Sequence, residues 1–385
     1  MVGRTVTVKK KRLLFVVNVD WFFVSHRLPI ALAALAQGYD VHVATTMTSH
    51  HDQLVALGLV VHPLRIERTG TSLWHELSLF LALAKIMAAV RPDIAHLVTI
   101  KPVLFGSLIA RWQGIPGVVA AVSGLGFIFT DTGFKAGIAR LIMQSWYRVV
   151  LSNSRLKAVF QNSDDCAALM GMAAQHPNKC ILIRGSGVDL SAYTAEAFPS
   201  TPPTFLMAAR LLTDKGVIEF VTAAQQLKNE GVVARFCLVG STDPDSRSSI
   251  PESLLHVWRQ VADVEIWGYR KDMPAVLSLA HVVVLPSYRE GLPRVLLEAA
   301  ACGRAVITTD VPGCRDAIAP GVSGLLVPVR DSAALAAAMR WMVENPMKRE
   351  AMGHAARRLA EREFSIEKVV QTHLQIYQDL VDAQA

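Results

Sequence analysis

Two glutamates stand eight residues apart, Glu290 and Glu298, in the segment VVVLPSYREGLPRVLLEAAACGRAVITTD over 282–310. A β-branched run leads into a polar loop, 287–291. Pro293 then suits the first position of a helix, where its missing N–H would have no partner anyway. The backbone N–H groups of Gly291 and Leu292 lie at that helix start, where the macrodipole favours an anionic group. Gly291 has no side chain to hold a ligand away. Glu290 stands beside the helix start. Glu298 lies within the helix among Leu296, Leu297 and Ala300, which predicts a partly buried carboxylate in need of partners. Ligand hydroxyls would serve, and so would Arg294 one turn earlier. A second segment, AARLLTDKG over 208–216, puts Arg210 and Lys215 between a strand and a helix. A guanidinium fork and an ammonium point charge there suit a diphosphate, unless both are merely solvated. In a third, VEIWGYRKDM over 264–273, a strand ends in Trp267-Gly268-Tyr269. Gly268 lets backbone approach a flat ligand, and its aromatic neighbours line a base pocket or pack on the strand end. The first loop, 18–27, carries Asp20 and His26, which either touch a sugar or serve the fold, with Ser25 as a cap and the aromatics as core.

The elements that must hold these residues follow from the hydrophobic pattern. In the first half, strands are predicted over 13–19, 41–45, 60–66, 94–98, 118–122, 158–161 and 180–183. Helices are predicted there over 25–37, 74–90 and 139–151. Residues 194–203, with three prolines, read as a linker. The second half repeats the alternation, with strands over 205–209, 235–239, 264–267, 282–286, 305–309 and 324–327. Its helices fall over 217–229, 275–280, 293–301 and 332–343, and 347–385 is helical with a break near Phe364. Strands alternating with helices predict parallel sheets covered by helices. Two such doubly wound halves would place ligands at the carboxyl ends of the strands, where the chemistry-bearing loops occur.

Bulk properties narrow the class. With 385 residues, the chain is long enough for two cores. Its apolar runs are interrupted by Asn18, Asp20 and Lys85 and fall short of a membrane span. Lys9–Arg12 precede an apolar stretch but no small-residue cleavage site follows, so a first strand is expected rather than a secretory signal. Five scattered cysteines without pair spacing fit reduced packing thiols and no zinc site. The net charge of +7 allows an ordinary basic surface, an anionic membrane, nucleic acid or an anionic substrate. No nucleic-acid signature accompanies it, and apolar content favours the membrane.

The motifs together resemble glycosyltransferase family 4. Glu290-x7-Glu298, preceded by P-S-Y-R and followed by A-x-x-C-G-R-A-V-I-T-T-D-V-P-G, is similar to that family's signature. AARLLTDKG resembles its diphosphate loop, and IRGSGVDL over 183–190 its interdomain hinge. The resemblance covers nearly the whole chain. It implies a GT-B fold, two Rossmann-like domains facing a cleft, a retaining reaction and no essential metal or cofactor. By position, it implies that Glu290 contacts the donor sugar and that Glu298 binds the ribose hydroxyls. Arg210 and Lys215 would stabilise the departing diphosphate. Gly291, Leu292 and Pro293 would line the sugar–phosphate pocket, and Gly268 and Tyr269 would lie near the base. Metal-dependent glycosyltransferases of another fold use Asp-x-Asp. Asp243-Pro244-Asp245 occurs here without that pattern, and no metal is expected. The family's histidine at a first-domain strand end is absent. The segment reads Val122-Ser123-Gly124-Leu125-Gly126, so Ser123 or glycine backbone would take its place.

This pattern, with V-D-W-F-F-V-S-H-R at the start, looks most like bacterial enzymes that extend undecaprenyl-diphosphate-linked sugars. The expectation is therefore a nucleotide-sugar donor, UDP-linked and an N-acetylhexosamine. The acceptor would be a lipid-linked saccharide and the location the cytoplasmic face of an anionic membrane, with no nucleic-acid partner. The alternatives are a sugar-nucleotide epimerase or hydrolase on the same fold, and a binding protein without catalysis. Domains are expected over 1–190 and 191–364, hinged at Gly185–Asp189. A last helix over 365–385 would pack back on the first domain.

Overall fold

The computed structural model describes residues 10–67, 72–124, 141, 145–170, 179–200, 202–244, 246, 248–261 and 264–383. The chain divides into two compact units, Met1–Ile183 with Val369–Ala385, and Arg184–Lys368.

The first unit is built on seven strands. They are β1 Arg12–Val19, β2 Asp40–Thr46, β3 Val60–Pro63, β4 Ile94–Val98, β5 Gly117–Val122, β6 Leu156–Phe160 and β7 Cys180–Leu182. Their order is β3-β2-β1-β4-β5-β6-β7 and their pairings are parallel. The second unit has six: β8 Thr204–Ala208, β9 Arg235–Val239, β10 Glu265–Gly268, β11 Val282–Leu285, β12 Ala305–Thr309 and β13 Gly324–Val327. These run β10-β9-β8-β11-β12-β13, again parallel. The central strands are continuous apolar runs because helices cover both faces: β4, β5, β8, β11 and β12 are buried throughout. In each unit the strand order reverses once, between β1 and β4 and between β8 and β11.

Most predicted elements stand within a residue or two of their expected limits. The first helix differs. It begins at Asp20 and stops at His26, and a second runs Leu28–Ala36. Pro29 sits in the first turn of that second helix, where its ring is tolerated only at a fresh start. Helices Ile100–Gln113, Ser163–Met170, Glu252–Val261 and the short His51–Ala56 were not anticipated. Pro102 and Gly106 disguise the first of these as a loop. Pro102 falls in its first turn. Gly106 is required by close packing, since a Cβ there would lie 2.5 Å from Leu97 Cδ2.

Residues 194–200 contain no helix or strand, yet they are anchored. The fully buried Arg304 guanidinium lies 4.9 Å from the Phe198 ring centroid, and His281 Nε2 bonds the Pro199 carbonyl at 3.0 Å. The carboxyl-terminal helices, Pro346–Glu363 and Ile366–Asp382, break at Phe364 and Ser365. There the backbone leaves the helix to pair with Val188: its N–H donates to Phe364 O, and Ile366 N–H donates to Val188 O. From Val369 onward the chain belongs to the first unit. Tyr377 OH and His96 Nδ1 are 2.5 Å apart in its core, and His96 stacks on Phe15 and His373.

Candidate active site

The second unit gathers its chemistry at the reversal of strand order. Arg210 and Lys215 follow β8, and Glu290 follows β11, the adjoining strand. Lys215 Nζ donates to Glu290 Oε1 at 2.5 Å, and Ser287 Oγ lies 2.7 Å from the same oxygen. Both side chains of the ion pair are largely shielded. The loops meet backbone to backbone. Tyr288 N–H donates to Asp214 O at 2.9 Å, and the Thr309 hydroxyl donates to Ser287 O. Gly216 makes the approach possible. It sits at φ +77°, and a Cβ there would lie 2.1 Å from Pro286 O. Gly313 does the same for the loop after β12, with Glu290 O 2.6 Å from where its Cβ would be.

Gly216→Ala is accordingly expected to destabilise the second unit by roughly 2–4 kcal/mol, through a left-handed backbone and a clash with fixed backbone. Gly58, at φ +85° with nothing near it, is the control. Its alanine variant should lose only about 1–2 kcal/mol, the cost of the backbone conformation alone. Denaturant midpoints would compare the two.

Arg210 donates to Asp243 Oδ2 at 2.6 Å. Asp243 of the Asp-x-Asp sequence is thus an ion-pair partner of the cation expected to meet the diphosphate, while Asp245 lies outside the described residues. Glu298 is 6% exposed. Its Oε1 accepts from Tyr193 OH at 2.8 Å and Arg294 Nε at 2.7 Å. Burial pushes its carboxyl above the ordinary range, opposed by Arg294 and Tyr193. Of the two partners expected for Glu298, ligand hydroxyls and Arg294, the arginine is in place. Tyr193, 105 residues away, had no sequence signal. Ser287, Tyr288 and Glu219 were also missed; Tyr288 OH bonds Glu219 Oε1 at 2.7 Å, below the Arg330 guanidinium.

Pro293 does not occupy the first helical position. The helix runs Arg294–Ala301, and Pro293 is the extended residue before it, at ψ 120°. Leu292 is buried and Gly291 lies beside it in the loop. Gly268 is at φ +71° with open space where a Cβ would be, and Tyr269 is 68% exposed. The strand end there is thus accessible, as a flat ligand requires.

In the first unit the expectations for the opening loop need correcting at Asp20. It is fully buried and not at a surface. Its carboxylate accepts from the Thr48 N–H and hydroxyl, and from the Ser49 and His50 N–H groups. Burial alone would raise its pKa, yet these bonds hold it well below the usual carboxylate range. Asp20 therefore fixes the loop after β2. His26 is half-buried, stacked on Phe22 with Nδ1 2.6 Å from Ser25 Oγ.

Ser123 stands at the end of β5, and Leu125 and Gly126 after it lie outside the described residues. Its hydroxyl is buried without a hydrogen-bond partner among the described residues, as are Asn18 Oδ1 and Thr99 Oγ1. These three groups end β5, β1 and β4, neighbours in the sheet. Thr99 is also held at φ +75°. Strained backbone and unsatisfied polar atoms at one sheet edge fit a site for a hydroxylated ligand.

Two family models match the chain. "Glycosyl transferase 4-like" covers residues 12–163, and "Glycosyl transferases group 1" covers 193–359. A curated relative is the N,N'-diacetylbacillosaminyl-diphospho-undecaprenol alpha-1,3-N-acetylgalactosaminyltransferase of Campylobacter jejuni. It is 28% identical over 369 residues, spanning 92% of this chain and 95% of that protein. Among solved structures, sucrose-phosphate synthase from Thermosynechococcus elongatus aligns with a TM-score of 0.77 at 19% identity, over 97% of this chain and 100% of that one. Anabaena Alr3699/HepE in complex with UDP and glucose aligns at 0.71 and 17%, over 97% and 98%.

Proposed function

Because the chain belongs to the glycosyltransferases of GT-B fold, we propose that it transfers a sugar, with retention, from a UDP-linked N-acetylhexosamine to a lipid-linked saccharide. The observation that carries this reading is the Lys215–Glu290–Ser287 constellation at the reversal between β8 and β11. The Campylobacter jejuni relative, named for a diphospho-undecaprenol acceptor and matched along nearly its full length, supports the acceptor class. The complex of Alr3699/HepE with UDP supports the base.

In this reading the donor's anomeric C–O bond breaks and its electron pair goes to the leaving diphosphate. Lys215 and Arg210 meet that charge in place of a metal, and the N–H groups of Gly291 and Leu292 add to them. The diphosphate competes with Glu290 and Asp243 for the two cations. Glu290, released from Lys215, accepts from the donor sugar hydroxyls. The acceptor oxygen attacks on the face the diphosphate leaves, and its proton goes to a phosphate oxygen. Glu298 takes the ribose hydroxyls in exchange for one of its present partners. Leu292 and Pro293 wall the sugar–phosphate pocket, and Gly268 and Tyr269 carry the base. In the first unit, Ser123 offers its hydroxyl to a sugar and His26 contacts the acceptor. The enzyme works at the cytoplasmic face of the membrane, held peripherally, without cofactor or nucleic acid.

Purified protein incubated with bacterial membranes and a panel of radiolabelled UDP- and GDP-sugars tests this. Label is expected in the organic-extractable lipid from one UDP-N-acetylhexosamine, and should vanish in Glu290→Gln and Arg210→Ala. Donor consumption without labelled lipid would replace transfer by hydrolysis or epimerisation.

A further inference from the structure

The solvent face of helix Leu73–Val90 breaks the rule that a surface helix turns polar residues outward. Its inner face, Leu79, Leu83, Met87 and Val90, is packed into the first unit's core, so the helix lies flat on that unit. Its outer face carries Trp74, Leu77 and Leu81 with Ser78, Ala88 and Ala89, all exposed, His75 is exposed at its flank, and Leu73 is exposed at its start. Trp74 is 80% and Leu73 85% exposed. The one charge on that face is Lys85. The helix's only carboxylate, Glu76, is turned aside and bonded by Lys101 Nζ at 2.5 Å. Eighteen residues make this face about 27 Å long. The neighbouring helix Ile100–Gln113, tied to it by Gln113 Nε2 donating to Ala84 O, adds a 76% exposed Trp112.

Charge is distributed to match. The first unit holds 18 Lys and Arg against 11 Asp and Glu, a net +7, while the second holds 21 of each and is neutral. The chain's whole excess charge therefore sits on the unit with the apolar helix face. An apolar, Trp-bearing face without carboxylates on a cationic unit is complementary to an anionic lipid surface. The Leu73 end also lies at the sheet's carboxyl edge. The helix begins after β3, and Lys101, in the first turn after β4, bonds its first turn. Asn18, Thr99 and Ser123 end their strands at that same edge.

We propose that this helix face docks the protein on an anionic phospholipid bilayer, lying in the interface with Trp74 at headgroup depth, so that a lipid-borne acceptor arrives at the carboxyl edge of β1, β4 and β5. The choice of a bilayer over a protein partner rests on the lipid-linked acceptor proposed above.

The full chain is to be sedimented with vesicles of phosphatidylglycerol and phosphatidylethanolamine, and with vesicles of phosphatidylcholine alone. The triple variant Trp74→Ser, Leu77→Ser, Leu81→Ser is compared, together with its mass in solution and its transfer to a short-chain, water-soluble acceptor. The wild type is expected to bind the anionic vesicles at least tenfold more tightly than the neutral ones. The variant should lose at least thirtyfold in partitioning, with an unchanged melting curve. Wild type that ignores anionic vesicles, or a variant that partitions as well as wild type, overturns the proposal. So does a wild-type dimer that the variant converts to a monomer without any change in vesicle binding, which assigns the face to a second copy. If the short-chain acceptor receives no sugar from either protein while partitioning behaves as expected, the transfer reading fails and the docking face stands.

Discussion

Lys215→Ala is expected to lower the turnover of donor by two to three orders of magnitude, about 3 kcal/mol of transition-state stabilisation, while the donor KM moves far less. The ammonium is preorganised. It is held at the carboxyl end of β8 by the Gly216 turn and aimed by a 2.5 Å bond to Glu290, so its interaction strengthens as charge develops on the leaving diphosphate. Lys215→Arg should recover little of the loss, because a planar fork does not occupy the volume of a point charge in a shielded site. The effects of Lys215→Ala and Glu290→Gln on kcat/KM should not add, since each variant already removes the pair of the donor-free enzyme. Steady-state kinetics on the two single variants and the double would show this. Additive losses would mean that the pair seen in the structure does not work as a unit.

The second large effect concerns stability in mild acid. His96 and His373 are buried in the first unit's core, stacked 5.4 Å apart. They face Tyr377 and the Arg27 charge, and Phe15 stacks on His96. Burial pushes the His373 pKa down to about 3, helped by the Arg27 charge, and holds His96 well below its ordinary value. A histidine whose folded pKa is depressed binds its proton more readily in the unfolded chain. Its contribution is therefore complete above about pH 6.5 and is lost as pH falls from there toward the folded value. Between pH 7 and pH 5 His373 should cost about 2 kcal/mol, and His96 should add to that loss in the same direction. Denaturant unfolding at the two pH values would measure the difference. His96→Gln with His373→Gln should flatten the dependence even if the variant is less stable at pH 7. An unchanged slope would place the acid sensitivity elsewhere.

The sheets were legible because parallel strands buried on both faces leave unbroken apolar runs. Arg235–Val239 and Ala305–Thr309 occur at their expected limits, and so does the Val217–Asn229 helix. Four helices of the described residues escaped. In Ile100–Gln113 the proline and glycine that suggest a loop serve, respectively, a first turn and a close contact with Leu97. At the candidate site, local sequence indicated Glu290, Lys215 and Arg210 by their place after strands, and Arg294 as a partner of Glu298 by helical spacing. It could not indicate what lies far away along the chain. Tyr193 on Glu298 and Asp243 on Arg210 come from separations of 105 and 33 residues. Asp20 shows the opposite failure. An acidic residue just after a strand looks like a ligand contact, but here the backbone of the next loop fills its oxygens.

The last helix returning to the first unit makes that unit discontinuous in sequence, with the whole of the second inserted between residues 183 and 369. During synthesis, the second unit has all its strands before the first has its final wall. Until the ribosome has delivered Tyr377, the layer that covers Phe15 and His96 is missing, and the nascent first unit presents that apolar surface to chaperones or to other chains. A fragment ending near residue 183 would keep the seven strands and the same exposed layer. It should aggregate, whereas the fragment from 184 to 368 carries its own core.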